Sequence, residues 1–219
     1  PLAWQMLSRR LRKSGAALFG WPGARAVRNQ RYLVVRDSDL FPKANIQLNG
    51  LKVCGEYRVK QIVAYAGTVI TASGSELQPL FEDLMQEYGA RSLAVGSFRR
   101  YEGGGCGAEI AGDVVLTGSI RFMQLMGVRI PPELDLRQAV YLSINAKLAA
   151  VFALNYAAAE DVHRSLTAVL RTGGLVPVLA TRDFMITPQF LKQRYKIPPE
   201  RIEFPIVEER ARLSSGSAV

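Results

Sequence analysis

The feature that most constrains this chain is a short apolar stretch that ends in two closely spaced acids. Residues 32–35 are apolar and include two β-branched valines, which is typical of a short buried strand. Asp37 and Asp39 follow this stretch, and Pro42 then breaks the pattern. In an open α/β sheet, ligands bind at the carboxyl ends of the strands. The two acids are therefore either caps for the next element or the chemical centre of a site.

Length and composition indicate a globular chain with a core of ordinary size. The 219 residues allow one large domain or two small ones, and 48% of them are hydrophobic. The longest unbroken apolar run covers residues 148–154, far short of the roughly 20 residues that a membrane-spanning helix needs. No secretory signal pattern is visible, and Cys54 and Cys106 lack metal-ligand spacing. We therefore expect a reducing, cytosolic compartment.

The chain carries an excess of basic residues that is densest near its start. Its 28 Lys and Arg stand against 19 Asp and Glu, and residues 9–13 include four of the basic side chains. A nucleic-acid surface, attraction to anionic lipid headgroups and a solvated helix face all remain open as explanations. No nucleic-acid module is recognisable, so no nucleic-acid partner is expected. The apolar spacing over residues 3–18 predicts an amphipathic helix, and residues 1–25 are predicted to lie close to a membrane.

The order of the predicted elements indicates an α/β fold interrupted by an insertion. Helical stripes are followed by short glycine-separated strands, and the last third alternates strands with helices. Within that third, strands are predicted at 139–144 and 148–154, as a pair across residues 145–147, and at 175–180. Parallel strands joined by helices are expected to carry this third, which predicts a doubly wound parallel sheet. Residues 46–53 are predicted to form a hairpin around Asn49 and Gly50.

These patterns predict two domains, one of which is discontinuous. Residues 1–55 and 136–219 are expected to form the α/β domain that contains the first strand and its acids. Residues 56–135 are expected to form an inserted α+β domain. The first strand and its sheet partners would then lie more than a hundred residues apart in the chain.

This arrangement, with Asp37 at the end of a strand, resembles the cytosolic region of P-type cation-transporting ATPases, most closely the heavy-metal class. In that family a haloacid-dehalogenase-like phosphorylation domain is split by an inserted nucleotide-binding domain. Asp37 stands where the family has its phosphorylated aspartate, although the lysine, threonine and glycine of D-K-T-G-T-L-T are missing here. Asp37 and Asp39 also match the D-x-D of the wider superfamily, with a nucleophilic first acid and a proton-shuttling second.

The resemblance extends to the predicted insert. Glu76 and Gln78 lie in a Ser-Glu-Leu-Gln-Pro sequence where the family has S-E-H-P, so Gln78 replaces the histidine that helps to hold adenine. Gly103 and Gly105 match the family's G-x-G, which approaches the nucleotide. The resemblance thus implies that these four residues bind ATP. Read without it, Gln78 completes a capping box with Ser75, and the glycines form a flexible hairpin.

The resemblance also assigns roles near the end of the chain. Thr181 and Asp183 stand where the family's T-G-D contacts the phosphoryl group, and Arg210 is the nearest match to a lysine that neutralises it. Mg²⁺ is implied as a second cofactor, held by Asp37 and Asp183, although the family's G-D-G-x-N-D does not occur in this sequence. Read without the resemblance, Thr181 and Asp183 cap the next segment, and Arg210 is a solvated charge.

The leading hypothesis is a cytosolic, P-type-ATPase-like region of a larger membrane protein, with a degenerate active site. It would bind ATP through the insert, lie on the cytoplasmic side of the membrane and contact the membrane helices of its parent chain. If it is active, ATP hydrolysis would proceed through an aspartyl phosphate at Asp37. Two alternatives stay open: a non-catalytic module that binds a nucleotide or a partner, and a haloacid-dehalogenase-like phosphatase that uses Asp37 and Asp39.

Overall fold

The computed structural model describes residues 30–171 and 174–215. The amphipathic helix predicted over residues 3–18 lies outside the described residues. Within the described ranges, no helix is both long enough and apolar enough to span a membrane.

The described part of the chain contains eight β-strands and seven α-helices. The strands are β1 (Tyr32–Arg36), β2 (Ile46–Val53), β3 (Val95–Tyr101), β4 (Gly105–Ile110), β5 (Asp113–Gly118), β6 (Ala139–Ile144), β7 (Lys147–Tyr156) and β8 (Val176–Ala180). The helices are α1 (Asp37–Leu40), α2 (Val59–Ser73), α3 (Gln78–Glu87), α4 (Ile120–Leu125), α5 (Glu160–Arg171), α6 (Pro188–Tyr195) and α7 (Val207–Ser214).

Six strands form one antiparallel sheet in the order β2-β7-β6-β5-β4-β3. Side chains alternate between its faces, so Val140 and Leu142 join the main core while Ala139 and Tyr141 join a smaller cluster on the other face. Helices α2 and α3 cover the main-core face, and α4 covers the other. Because both faces are covered, every residue of β6 is buried.

The predicted hairpin at Asn49 and Gly50 does not form. Residues 46–53 make one continuous strand, β2, which pairs with β7 from Ile46 opposite Tyr156 to Val53 opposite Ala150. The register shifts between Leu48 and Gly50, so Asn49 lies at a bulge instead of a turn. Pairing along the whole length of β7 outweighs the local turn preference of the Asn-Gly pair.

The second sheet is small and parallel. Strands β1 and β8 pair in parallel, and Glu203 adds a single parallel bridge to Val178. The mixed α/β architecture is therefore confirmed, but the described residues hold two parallel strands, not an extended doubly wound sheet. Tyr32 and Val34 are 57% and 41% exposed, so the prediction of a fully buried first strand was wrong.

The strands predicted at 139–144 and 148–154 do pair with each other, as predicted, but they belong to the antiparallel sheet and not to the parallel sheet expected for this part of the chain. They form a hairpin across Asn145 and Ala146, whose φ angles of 49° and 63° suit a tight two-residue turn. Such a turn reverses the chain at once, so β6 and β7 can only pair antiparallel. The antiparallel sheet thus runs from Ile46 to Tyr156 and crosses the predicted boundary at residue 136. The division into two domains itself stays a prediction.

An aromatic cluster joins the two sheets. The ring of Phe41, just after α1, lies 5.3 Å from that of Tyr156 at the end of β7 and 5.4 Å from that of Tyr195 in α6. The hydroxyl of Tyr195 donates to the backbone carbonyl of Leu40 at 2.9 Å. These contacts fix the carboxyl end of β1 against the end of the antiparallel sheet.

Candidate functional site

Asp37 lies at the carboxyl end of β1, beside the loop that follows β8. Because the strands are parallel, with Arg36 opposite Ala180, their carboxyl ends meet at one edge. The backbone N–H groups of Arg182 and Asp183 donate to Oδ2 of Asp37 at 3.0 and 3.3 Å. The residue is only 4% exposed, and its Oδ1 has no hydrogen-bond partner among the described residues. The structure thus brings together the acid and the Thr-Arg-Asp loop that the sequence placed in one site.

Internal hydrogen bonds hold the loop after β8 in one conformation. The backbone N–H of Asp183 donates to Oγ1 of Thr181 at 3.0 Å. Oδ1 of Asp183 accepts from the backbone N–H of Met185 at 2.8 Å, and its Oδ2 accepts from the hydroxyl of Tyr156 at 2.6 Å. Both oxygens of the Asp183 carboxylate are therefore engaged, whereas Asp37 keeps one oxygen free of such contacts.

Burial changes the acidity of the two carboxyl groups. It raises the pKa of Asp37 to about 6, although hydrogen bonds from Thr181, Arg182 and Asp183 oppose the shift. Burial, followed by repulsion from Asp37, raises the pKa of Asp183 to about 7. At pH 7 a fraction of each carboxyl group is therefore still protonated. A nearby positive charge would favour the ionised form of both.

A cleft of about 420 Å³ is lined by Asp183, whereas Asp37 is not among its lining residues and is joined to it only through the loop after β8. The loop after β8 and helix α7 form one wall, which includes Thr181, Asp183 and Arg210. The turn between β3 and β4 forms the opposite wall, which includes Gly103 and Gly105. The cleft therefore lies between the parallel and the antiparallel sheets.

The lining of the cleft is strongly basic. Among the described residues, five arginines line it: Arg100, Arg121, Arg137, Arg182 and Arg210. The acids in its lining are Glu102 and Asp183. Five positive charges against two negative ones leave an excess of three when Asp183 is ionised. Such an excess in a concave site attracts anions and raises their local concentration.

Arg210 is buried in the wall of the cleft and is not a solvated charge. It is 6% exposed, and its guanidinium carbon lies 4.0 Å from the centre of the Phe204 ring. Nη1 of Arg210 donates to the backbone carbonyl of Pro205 and lies 3.5 Å from Oε2 of Glu102. Burial of this charge is tolerated because the carboxylate and the ring face it.

Packing explains why glycine is needed in the β3–β4 turn, without any role in nucleotide binding. A Cβ on Gly105 would lie 2.1 Å from the ring of Phe122, the α4 residue that covers this turn. A Cβ on Gly118 would lie 2.4 Å from the same ring. A Cβ on Gly103 would come within 3.1 Å of Leu125. Phe122 thus requires glycine at position 105.

Gln78 and Glu76 do not line the cleft. Nε2 of Gln78 donates to Oε1 of Glu82 at 2.7 Å, one turn further along α3. Oγ of Ser75 accepts from the backbone N–H of Leu77, so the predicted capping box between Ser75 and Gln78 does not form. Glu76 lies near enough to Asp37 and Asp183 for its charge to raise their pKa values.

Asp39 is separated from the cleft as well. Its exposed carboxylate accepts from the backbone N–H of Arg36 at 2.9 Å and lies 3.7 Å from Nε of the same residue. Asp39 therefore closes the first turn of α1, as in the capping alternative. The second acid of the D-x-D pair points away from the pair formed by Asp37 and Asp183.

Sequence reasoning missed several residues that shape the site. Tyr156 and Phe122 lie in unremarkable apolar segments, and no local pattern indicates that they contact Asp183 and Gly105. The arginines at 100, 121 and 137 were recognised only as part of the net charge of +9. These three arginines line one cleft because the antiparallel sheet packs beside the loop after β8.

Comparisons with known proteins support the fold. No protein-family model and no curated protein sequence matches this chain. Among solved structures, the catalytic domain of the CPx-ATPase CopB-B is 12% identical with a TM-score of 0.53, covering 92% of this chain and 70% of that one. The N-domain of HMA6, a copper-transporting P-type ATPase, is 16% identical with a TM-score of 0.44, covering 51% of this chain and 99% of that one.

A zinc-transporting PIB-type ATPase is also similar, at 17% identity and a TM-score of 0.43. It covers 81% of this chain, which in turn spans 29% of that protein. The match to CopB-B over most of the chain confirms the resemblance to the cytosolic domains of heavy-metal P-type ATPases, at the level of the fold.

Proposed function

We propose that this chain is a cytosolic, P-type-ATPase-like region of a larger membrane protein and that it binds ATP in the arginine-lined cleft. The observation that carries the proposal is the cleft itself, whose lining contains five arginines together with Asp183. Its place is the cytoplasmic side of the membrane, where the membrane helices of the parent chain are its partners. The likeness in fold to a catalytic domain of that class supports this placement.

The charges of the cleft suit the phosphate chain of a nucleotide. Arginine binds phosphate through two parallel N–H groups, so several arginines around one cavity can hold a polyphosphate firmly. Gly103 and Gly105 lie along the wall, where the backbone can approach the ligand closely. Glu76 and Gln78 would contact only a part of the nucleotide that reaches out of the cleft toward the start of α3.

Calorimetric titration with ATP and ADP, with and without Mg²⁺, tests the proposal directly. We expect saturable binding and an affinity that falls as salt is added. Arg121→Gln removes a charge from the lining and should weaken binding about threefold to tenfold. Arg212→Gln is the matched control, because Arg212 is 57% exposed on α7 and lies outside the lining. Absence of binding by the unaltered chain would overturn the proposal.

A second candidate function is aspartyl-phosphate formation at Asp37. It is favoured by the position of this carboxylate at the end of β1, with backbone N–H donors on one oxygen and no partner on the other among the described residues. Asp37 would attack the γ-phosphorus, the bond to the bridging oxygen would break, and ADP would leave. Thr181 would donate a hydrogen bond, and Arg182 or Arg210 would supply positive charge.

Mg²⁺ would be held by Asp37 and Asp183 in this reaction. The ion commonly takes one or two protein carboxylates together with phosphate oxygens and water. The free Oδ1 of Asp37 and the raised pKa values of both acids fit a nearby cation. Among the described residues no group of three or more acids, cysteines or histidines could hold a metal, so the nucleotide would have to complete the site.

Radiolabelled ATP distinguishes the catalytic function from simple binding. An active site would form an acid-stable phosphoenzyme that Asp37→Asn abolishes and Asp39→Asn leaves in place. Binding without such an intermediate would identify a non-catalytic nucleotide-binding module. A haloacid-dehalogenase-like phosphatase would instead release phosphate from small phosphoesters and lose this activity with either substitution.

A further inference from the structure

Glu102 makes a contact that closes one end of the cleft. It lies at the end of β3, where the chain turns toward β4, and its Oε1 accepts from the backbone N–H of Val207. Its Oε2 lies 3.5 Å from Nη1 of Arg210. Val207 is the first residue of α7, so the carboxylate sits at the amino end of this helix and beside a buried guanidinium. One anionic side chain from the antiparallel sheet thereby joins it to α7.

The groups that receive this carboxylate are suited to an oxyanion. Arg210 is held by the ring of Phe204 and the carbonyl of Pro205, and it is only 6% exposed. Its Nε has no hydrogen-bond partner among the described residues. A helix amino end adds unpaired N–H groups and a partial positive charge. A fixed cation and a helix terminus therefore converge on the place that Glu102 occupies.

Glu102 itself is held less firmly than the groups that it contacts. Its side chain is 55% exposed, whereas that of Arg210 is 8% exposed. It is followed by Gly103 and Gly104, and Gly104 has a φ of +89°, a conformation that favours glycine. The receiving groups are therefore fixed in the core of the structure, while the anion comes from a turn at its surface.

We infer that Arg210 and the amino end of α7 form an oxyanion site for a phosphate group, and that Glu102 occupies this site until the ligand displaces it. The inference deepens the proposed function and rests on it for the identity of the ligand, whose polyphosphate chain would enter the cleft. Glu102 then lowers the affinity of the cleft for anions. Its release from α7 accompanies ligand binding.

A competing carboxylate and a purely structural one have opposite effects when the charge is removed. Glutamine at position 102 can still accept a hydrogen bond from the N–H of Val207 but no longer neutralises Arg210. A structural contact that is weakened in this way loosens the site and lowers anion affinity. If the Glu102 carboxylate instead competes with the ligand, weakening its contact raises the affinity for anions. The direction of the change in affinity therefore decides between the two.

The experiment uses the full chain and inorganic pyrophosphate, which needs no contacts to a base. Glu102→Gln should bind pyrophosphate about threefold to tenfold more tightly than the unaltered chain. Asp83→Asn is the matched control, because it removes one negative charge from an exposed pair with Lys43 outside the cleft lining. Adding Arg210→Gln to Glu102→Gln should abolish the gain, since the receiving cation is then absent.

A second readout follows the backbone amide of Val207 in nuclear magnetic resonance spectra. Pyrophosphate should shift this amide signal in the unaltered chain and shift it at lower concentration in Glu102→Gln. Equal affinities of Glu102→Gln and Asp83→Asn, or weaker binding by Glu102→Gln, would overturn the inference. If pyrophosphate behaves as expected but ATP does not bind, the oxyanion site stands and the proposed nucleotide function fails.

Discussion

The hydroxyl of Tyr156 donates a 2.6 Å hydrogen bond to Oδ2 of Asp183. Tyr156 is the last residue of β7 in the antiparallel sheet, and Asp183 lies in the loop that follows β8 in the parallel sheet. Both side chains are buried. This single bond therefore connects the two sheets directly behind the loop that holds Asp37.

Replacing Tyr156 by Phe should destabilise the protein by about 1–3 kcal/mol, because a buried carboxyl oxygen loses its partner. Urea unfolding monitored by circular dichroism measures the change. Tyr88→Phe is the control, since Tyr88 is 40% exposed at the end of α3. Equal stabilities of the two variants would show that the bond between Tyr156 and Asp183 contributes nothing.

Stability should fall as the pH rises from about 4 to about 8. The pKa values of Asp37 and Asp183 are raised to about 6 and about 7 in the folded chain, above the ordinary value of about 4. The folded state therefore binds more protons than the unfolded state in this window, and its advantage is lost as the two groups ionise. Because one pKa unit corresponds to about 1.4 kcal/mol, the two raised pKa values together set the loss at roughly 7 kcal/mol at most.

Asp183→Asn should flatten this pH dependence, because asparagine has no proton to release. Its amide can still accept from Met185 and donate to Tyr156, so the fold should be retained. Asp83→Asn, at an exposed ion pair with Lys43, should leave the pH curve unchanged. Unfolding free energies measured across the pH range would contradict the prediction if Asp183→Asn followed the curve of the unaltered chain.

Gly105→Ala should destabilise the protein by about 1–3 kcal/mol through a clash with the ring of Phe122. Adding Phe122→Leu to this variant should recover part of the loss, since the smaller side chain makes room for the methyl group. Gly50→Ala serves as the control, because its added Cβ would meet nothing within 4 Å. If Gly105→Ala were as stable as Gly50→Ala, the packing explanation for this glycine would be wrong.

Asp39→Ala should cost about 1 kcal/mol of stability, because the carboxylate accepts from the backbone of Arg36 at the start of α1. It should not change ATP affinity, since Asp39 is exposed and lies outside the cleft lining. Thermal unfolding and calorimetric titration measure the two effects. A large loss of affinity with unchanged stability would instead place Asp39 in the binding site.

Local sequence signals predicted those features that depend on neighbouring residues alone. Ser119 and Thr187 are residue types that favour the start of a helix, and their hydroxyls accept from the backbone N–H groups of Phe122 and Phe190. The proximity of Asp37 to the loop at 181–183 was implied by the family resemblance, and it agrees with the rule that the carboxyl ends of parallel strands meet at one edge of the sheet.

Local sequence signals did not show which of the two sheets each strand joins. The short connection between the apolar segments at 139–144 and 148–154 requires that they pair antiparallel with each other. Burial on both faces, however, removes the alternation that would assign this pair to the antiparallel sheet and not to the parallel one. The Asn-Gly pair at 49–50 has a strong turn preference, yet ladder bonds to β7 keep it inside a strand. Long-range pairing decided both cases.

The amino-acid sequence by itself determined the short strand before Asp37, the caps of several helices and the excess of positive charge. These follow from backbone preferences and composition, which act over a few residues or over the chain as a whole. The tertiary structure alone decided that five distant arginines line one cleft and that Asp183 bonds to Tyr156. It also decided that Asp37 is buried while Asp39 is exposed, because burial depends on which surfaces the two sheets bring together.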